Sequence, residues 1–193
     1  MSQATTDPTL EALAPRGSAW HGVALAVVAV LVLVAAWVVP AWARPTIGGD
    51  GSAMGAEFPS ERRELVLTNL APHAWGGVTV SGVDDVAGAH VVGAWAVEGN
   101  RGSNAPAGTR TSDGDLARLG VTDADRLPRT LASGQPATLV VLWQIESCQT
   151  AARVADSVPV HVRGLLGVAR VETVPAAPML GGVTWSDGTP CRP

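Results

Sequence analysis

Ala137–Glu146, ATLVVLWQIE, decides the fold class. Leu139, Val141, Trp143 and Ile145 fall on one side of an extended chain, because successive side chains of a strand point to opposite faces. The same alternation is visible where Val78 and Val80 are separated by Thr79 and Ser81. Around these, short valine-rich runs recur between Gly, Pro, Asn and Asp: Glu64 to Asn69, Gly77 to Val83, Ala89 to Val97, Val158 to Arg163 and Val168 to Val174. β-branched runs broken by turn residues predict an all-β domain, and six of them predict a sandwich. Gly164 to Gly167 between the last two runs predicts a hairpin. A seventh short strand is expected near Gly182 to Trp185.

The long interval from Gly99 to Arg129 exceeds a simple turn and reads as the least constrained part of the domain. Within it, Asp113 to Leu119 predicts one or two helical turns with Asp115 near the start. Upstream, residues 44 to 60 (RPTIGGDGSAMGAEFPS) carry glycine and no hydrophobic period, the composition of a flexible linker. Residues 1 to 19 are polar and contain two prolines, which predicts a disordered tail.

Gly22 to Val39, GVALAVVAVLVLVAAWVV, carries no charge and is flanked by Trp20, His21, Trp42 and Arg44. At 1.5 Å per residue it reaches roughly 27 Å, close to a hydrocarbon core of ~30 Å. Interfacial tryptophans suit such a span. Residues 20 to 43 therefore read as one transmembrane α-helix, followed by the domain at 61 to 193. Arginines on both flanks leave the positive-inside rule nearly silent. Cys148 and Cys191, both beyond the span, suit an oxidising compartment. The expected orientation is a cytoplasmic N-terminus with the C-terminal domain extracellular. Ala41-Trp42-Ala43 has the small-x-small form of a signal cleavage site, so cleavage after Ala43 stays open; the apolar run is longer than the usual ~7 to 15 residues.

The 193 residues carry a net charge of −4, with 13 basic residues that are all arginine and no long run of either sign. That balance argues against nucleic acid as a partner. Cys148 and Cys191 are 43 positions apart. They read as a structural disulfide pinning the tail to the sheet, since redox and metal motifs keep cysteines closer. His73, His90 and His161 lack ligand spacing and read as ordinary strand or surface residues; a copper site using Met54 or Met179 is the rival. There is no G-x-S-x-G elbow, so no enzyme is expected. Asp84-Asp85, Asp113/Asp115 and Asp123/Asp125 lack a full calcium-loop pattern and read as solvated loop acids. Trp95 and Trp143 read as core residues. Trp75 and Trp185 sit in loop-like sequence and form the candidate recognition surface. Gly22 and Ala26 make a weak small-x-x-x-small pair.

The runs RRELVLTNLAPHAWGGVTVSGV, LPRTLASGQPATLVVLWQIESC and VPVHVRGLLGVARVETV resemble the actinobacterial single-pass membrane-anchored proteins with an immunoglobulin-like ectodomain. The likeness covers Arg62 to Val174. It implies an immunoglobulin-like β-sandwich and gives Asn69, Gly82, Gly134 and Cys148 architectural roles, without a substrate or cofactor. The expected function is a membrane-anchored binding or scaffolding module of the cell envelope, beside a membrane or envelope protein, whose loops, Gly99 to Arg129 above all, carry specificity. The alternative is an extracytoplasmic metal or small-ligand carrier.

Overall fold

The computed structural model describes residues 17–42, 44–49, 51–74, 76–101, 111–151, 153, 156–164 and 167–180. It comprises two units, divided between Ala41 and Trp42. In the first, helix α1 (Gly17–Trp42) contains Trp20–Val39, twenty residues long and apolar enough to cross a membrane. Its side chains from Trp20 to Val39 are exposed all round, as suits an apolar solvent rather than a protein core.

The second unit holds two antiparallel four-stranded sheets. Sheet I has the order β1 (Ala53–Phe58), β2 (Arg63–Leu70), β6 (Ala137–Ile145), β4 (Ala89–Glu98). Sheet II has the order β5 (Arg129–Leu131), β3 (Val78–Val83), β7 (Val158–Gly164), β8 (Ala169–Val174). All six expected strands are present, and β7 and β8 form the expected antiparallel pair. One apolar cluster draws on both sheets: Val66, Leu139, Val141, Trp143 and Ile145 from sheet I meet Val78, Val80, Val158, Val160 and Val162 from sheet II. Trp143 is fully buried, and its Nε1–H donates to the Ala176 carbonyl at 2.9 Å. An indole inside a core needs that partner. The seventh strand expected near Gly182 to Trp185 lies outside the described residues.

The structure corrects three expectations. First, the interval after Gly99 is not uniformly loose. Helix α2 (Ser112–Arg118) forms where one was expected, capped by the Thr111 hydroxyl, which accepts from the Gly114 N–H. Leu119, only 2% exposed, then packs with Phe58, Leu65, Leu67, Trp95, Val97, Val140 and Leu142 in a second cluster. Those residues occupy the outer face of sheet I, so this sheet is covered on both sides and β6 is buried throughout except at Gln144. Ser112 anchors the helix from beneath: its hydroxyl donates to Glu61 Oε2 at 2.5 Å and accepts from Arg63 Nη1 at 3.2 Å.

Second, the stretch read as a linker is docked. Thr46 and His73 exchange main-chain hydrogen bonds of 2.9 and 2.7 Å, Ile47 is fully buried, and its N–H donates to Glu172 Oε2 at 2.8 Å. β1 follows on the edge of sheet I. Pairing with a long apolar neighbour, β2, makes a strand of a glycine-containing segment whose own pattern is too weak to predict one.

Third, Asp115 and Asp125 are buried rather than solvated. Asp115 faces Arg118, Oδ1 to Nε 3.5 Å, within α2. Asp125 closes a capping box with Thr122 at the start of a 3-10 turn (Asp123–Asp125).

Candidate functional site

The β3–β4 connection passes from sheet II to sheet I, and both strands are bulged beside it. In β3 the register shifts between Val80 and Gly82, and in β4 between Val91 and Gly93. A bulge bends and twists its strand, and two of them on the flanks of one crossing splay the sheets locally. The result is an open cleft of about 420 Å³, lined by Ser81, Asp84 and Asp85 on the β3 side, Val91 and Gly93 on β4, and Arg126.

Glycine is required at Gly93. A Cβ there would stand 2.3 Å from Cη2 of Trp95, whose ring folds back over this backbone. On the connection itself, Gly88 has a φ of +83°, and a Cβ would meet the Ser147 carbonyl oxygen at 2.7 Å. Helix α3 (Cys148–Ala151) begins immediately afterwards, and the Gly88 carbonyl accepts from the N–H groups of Glu146 and Ser147 at 2.9 and 3.0 Å.

The polar groups around the cleft are mostly engaged in holding it together. Asp85 Oδ1 accepts the Val91 N–H at 2.7 Å, tying the connection across the bulge. Asp84 Oδ1 lies 2.7 Å from His161 Nε2 on β7; both side chains are nearly half exposed. The Ser81 hydroxyl donates to the main-chain carbonyl of His161 at 3.1 Å, not to its ring. Ser81, His161 and Asp84 are thus neighbours without forming a nucleophile–base pair. Backbone from the 126–127 segment runs along the outer edge of β4, where the Leu127 N–H donates to the Ala94 carbonyl at 3.0 Å. Arg126 thereby joins the two acids in the lining of the cleft. The arrangement suits hydrogen-bonding or zwitterionic groups.

Next to this lip, Arg129 Nη1 hydrogen-bonds Asp125 Oδ1, while Asp125 Oδ2 accepts from the Thr122 N–H at 3.0 Å and hydroxyl at 2.7 Å. Burial alone would raise this carboxyl; the Thr122 bonds and the Arg129 charge outweigh it and hold the group below its ordinary value.

Of the other candidates, Trp75, Trp185 and Cys191 lie outside the described residues. Cys148 is not a free thiol. His73, His90 and His161 sit on separate elements: His73 bridges to Thr46, His90 Nδ1 lies 3.4 Å from Glu146, and His161 pairs with Asp84. Among the described residues no three His, Cys, Asp or Glu side chains converge on a common point. Met179 Sδ lies over β1, 3.3 Å from the position of a Cβ on Gly55.

The Asp84-Asp85 pair was visible in the sequence as acids, but not as the walls of a cleft. An isolated glycine inside each strand pattern, Gly82 and Gly93, is the signal that marks the bulges and hence the opening. Compared with known protein families, with functionally described proteins and with solved structures, the chain matches none of them.

Proposed function

We propose that the chain is a membrane-anchored binding module whose second unit is an immunoglobulin-like sandwich standing outside the membrane. The strand order supports the fold reading. In a constant-type immunoglobulin sandwich the sheets are A-B-E-D and C-F-G. Reading β1, β2, β3, β4, β6, β7 and β8 as A to G reproduces both sheets, with β5 an additional edge strand beside C. The core tryptophan, Trp143, stands on E instead of C, and neither B nor F carries a cysteine, so the likeness is one of topology.

The observation that carries the functional reading is the unequal covering of the two sheets. The outer face of sheet I is closed by the segment after Gly99. Sheet II leaves Ser81, Arg163 and Val171 exposed on its outer face, and Ser81 also lines the cleft. Specificity belongs on that open side, and not on the described part of the Gly99 to Arg129 segment, which packs as a layer. A disulfide between Cys148, which is not a free thiol, and Cys191 would suit an oxidising location and belongs to this reading.

The test is photocrosslinking of the full chain in intact cells, with a photoreactive residue at Arg163 or, as control, at the buried Leu119. A discrete membrane or envelope protein captured from Arg163 alone is expected; equal capture from both positions refutes the reading. A second reading, a small-ligand carrier, draws on the cleft between Asp84, Asp85 and Arg126. Calorimetric titration with zwitterionic solutes, lost on Arg126→Ala, would favour it.

A further inference from the structure

Strand β8 ends sheet II, and its far edge is unpaired among the described residues. The pairing with β7 shows which of its groups face outward. The Gly164 N–H donates to the Val168 carbonyl at 3.0 Å, so the pairs Val162–Arg170, Val160–Glu172 and Val158–Val174 are the hydrogen-bonded ones along the ladder. Pro159, which has no N–H, stands opposite Thr173 in a non-hydrogen-bonded pair, as this phase requires. The N–H and C=O groups of Ala169, Val171 and Thr173 therefore point away from β7, towards the open edge.

Natural edge strands are guarded by bulges, prolines or charged side chains. β8 has neither bulge nor proline, its register being unbroken from Ala169 to Val174, and its only charges are the opposite pair Arg170 and Glu172. It also exposes apolar surface, with Val171 52% exposed and Val168, the residue before the strand, 39% exposed.

We propose that the β8 edge pairs with the β8 edge of a second copy of this chain, antiparallel and centred on Val171. In that register Val171 faces Val171, and Ala169 faces Thr173 of the second copy. These are the outward-pointing residues, and they form about six main-chain hydrogen bonds. Arg170 then lies opposite Glu172 of the second copy, twice over by symmetry, as a two-fold interface demands. Within one chain Arg170 Nε is already 3.6 Å from Glu172 Oε1, so the pairing extends this contact into an alternating four-charge row.

Charge selects the register. Sliding by two residues in either direction preserves the hydrogen-bond phase but places Arg170 opposite Arg170, or Glu172 opposite Glu172. Like charges directly opposite are destabilising. Sliding by one turns the bonded groups out of phase.

One edge pair is smaller than the ~1,200–2,000 Å² of a standard interface, and confinement to a plane by α1 supplies the effective concentration it needs. Only this affinity step rests on the membrane reading above.

The test is oxidative crosslinking of the full chain in isolated membranes, using single cysteine substitutions at exposed β8 positions. Val171→Cys is expected to shift most of the protein to twice the 19.7 kDa of the chain. Thr173→Cys alone is expected to stay monomeric, whereas Thr173→Cys co-expressed with Ala169→Cys crosslinks. Adding Arg170→Glu to Val171→Cys lowers the dimer yield about tenfold, through two attractive pairs made repulsive. A monomeric Val171→Cys chain overturns the proposal. So does a Thr173→Cys chain that dimerises as well as Val171→Cys, or a crosslinked product containing a different protein.

Discussion

Gly93→Ala tests whether the cleft and the second apolar cluster are mechanically one structure. The added methyl would stand 2.3, 2.8 and 2.9 Å from three carbons of the Trp95 six-membered ring. Carbon atoms settle at about 3.5–4.0 Å, so the ring must retreat by roughly 1 Å. Trp95 is 9% exposed, wedged among Leu119, Val140 and Leu142, and the room for that retreat is occupied. Overpacking of this kind costs about 1–3 kcal/mol. Replacing a strand glycine by alanine returns about 0.5–1 kcal/mol of backbone entropy. Gly93 is not among the positive-φ glycines, so no backbone strain is added. The net loss is about 1–2 kcal/mol, or roughly 2–8 °C in Tm for a unit of this size. Calorimetry of the full chain in detergent measures it, and a double-mutant cycle assigns its cause. In a Trp95→Leu background the clash disappears, and Gly93→Ala should become neutral or stabilising by about 0.5–1 kcal/mol. An equal loss in both backgrounds would refute the assignment to the indole ring.

Three further outcomes are expected. Glu64 is fully buried on β2, and its carboxylate accepts the N–H groups of Met179 at 2.7 Å and Leu180 at 3.2 Å, strapping the segment after β8 over sheet I. Glu64→Gln replaces one of the two acceptor oxygens by a donor NH2, and hydrogen exchange at Met179 and Leu180 should accelerate by about tenfold while the β6 amides stay protected. The Asp125 carboxyl, held below its ordinary value, contributes stability that is present above the unfolded-state value and is lost as pH falls through the folded one. Thermal midpoints of wild type and Asp125→Asn should therefore differ at neutral pH and converge in acid; parallel curves would remove Asp125 from the acid limb. If Cys148 pairs with Cys191, the closed loop contributes about 4 kcal/mol by chain entropy, and reduction should lower the thermal midpoint by more than about 8 °C. An unchanged midpoint on reduction would dispose of that bridge.

What the sequence revealed of this molecule follows from where each signal originates. β6 was legible because Leu139, Val141, Trp143 and Ile145 repeat every second residue and bury one face against sheet II. The same strand also concealed something: Val140 and Leu142 are equally apolar, and a run apolar on both faces means a strand covered on both sides. The cover is Leu119 with its helix, and the polar-looking sequence around it hides that buried leucine. β1 was illegible for the opposite reason. Ala53–Phe58 has little intrinsic preference for a strand, and its extended form is imposed by six register partners on β2. The cleft lies at the same limit. Arg126 lies 41 positions after the adjacent acids Asp84 and Asp85, and nothing in that spacing brings it to them; two single-residue slips in separate strands do. A residue inserted or deleted near Gly82 or Gly93 would leave the hydrophobic pattern almost intact while closing or relocating the opening. Two chains with the same strand pattern can therefore share this core and differ in what they bind.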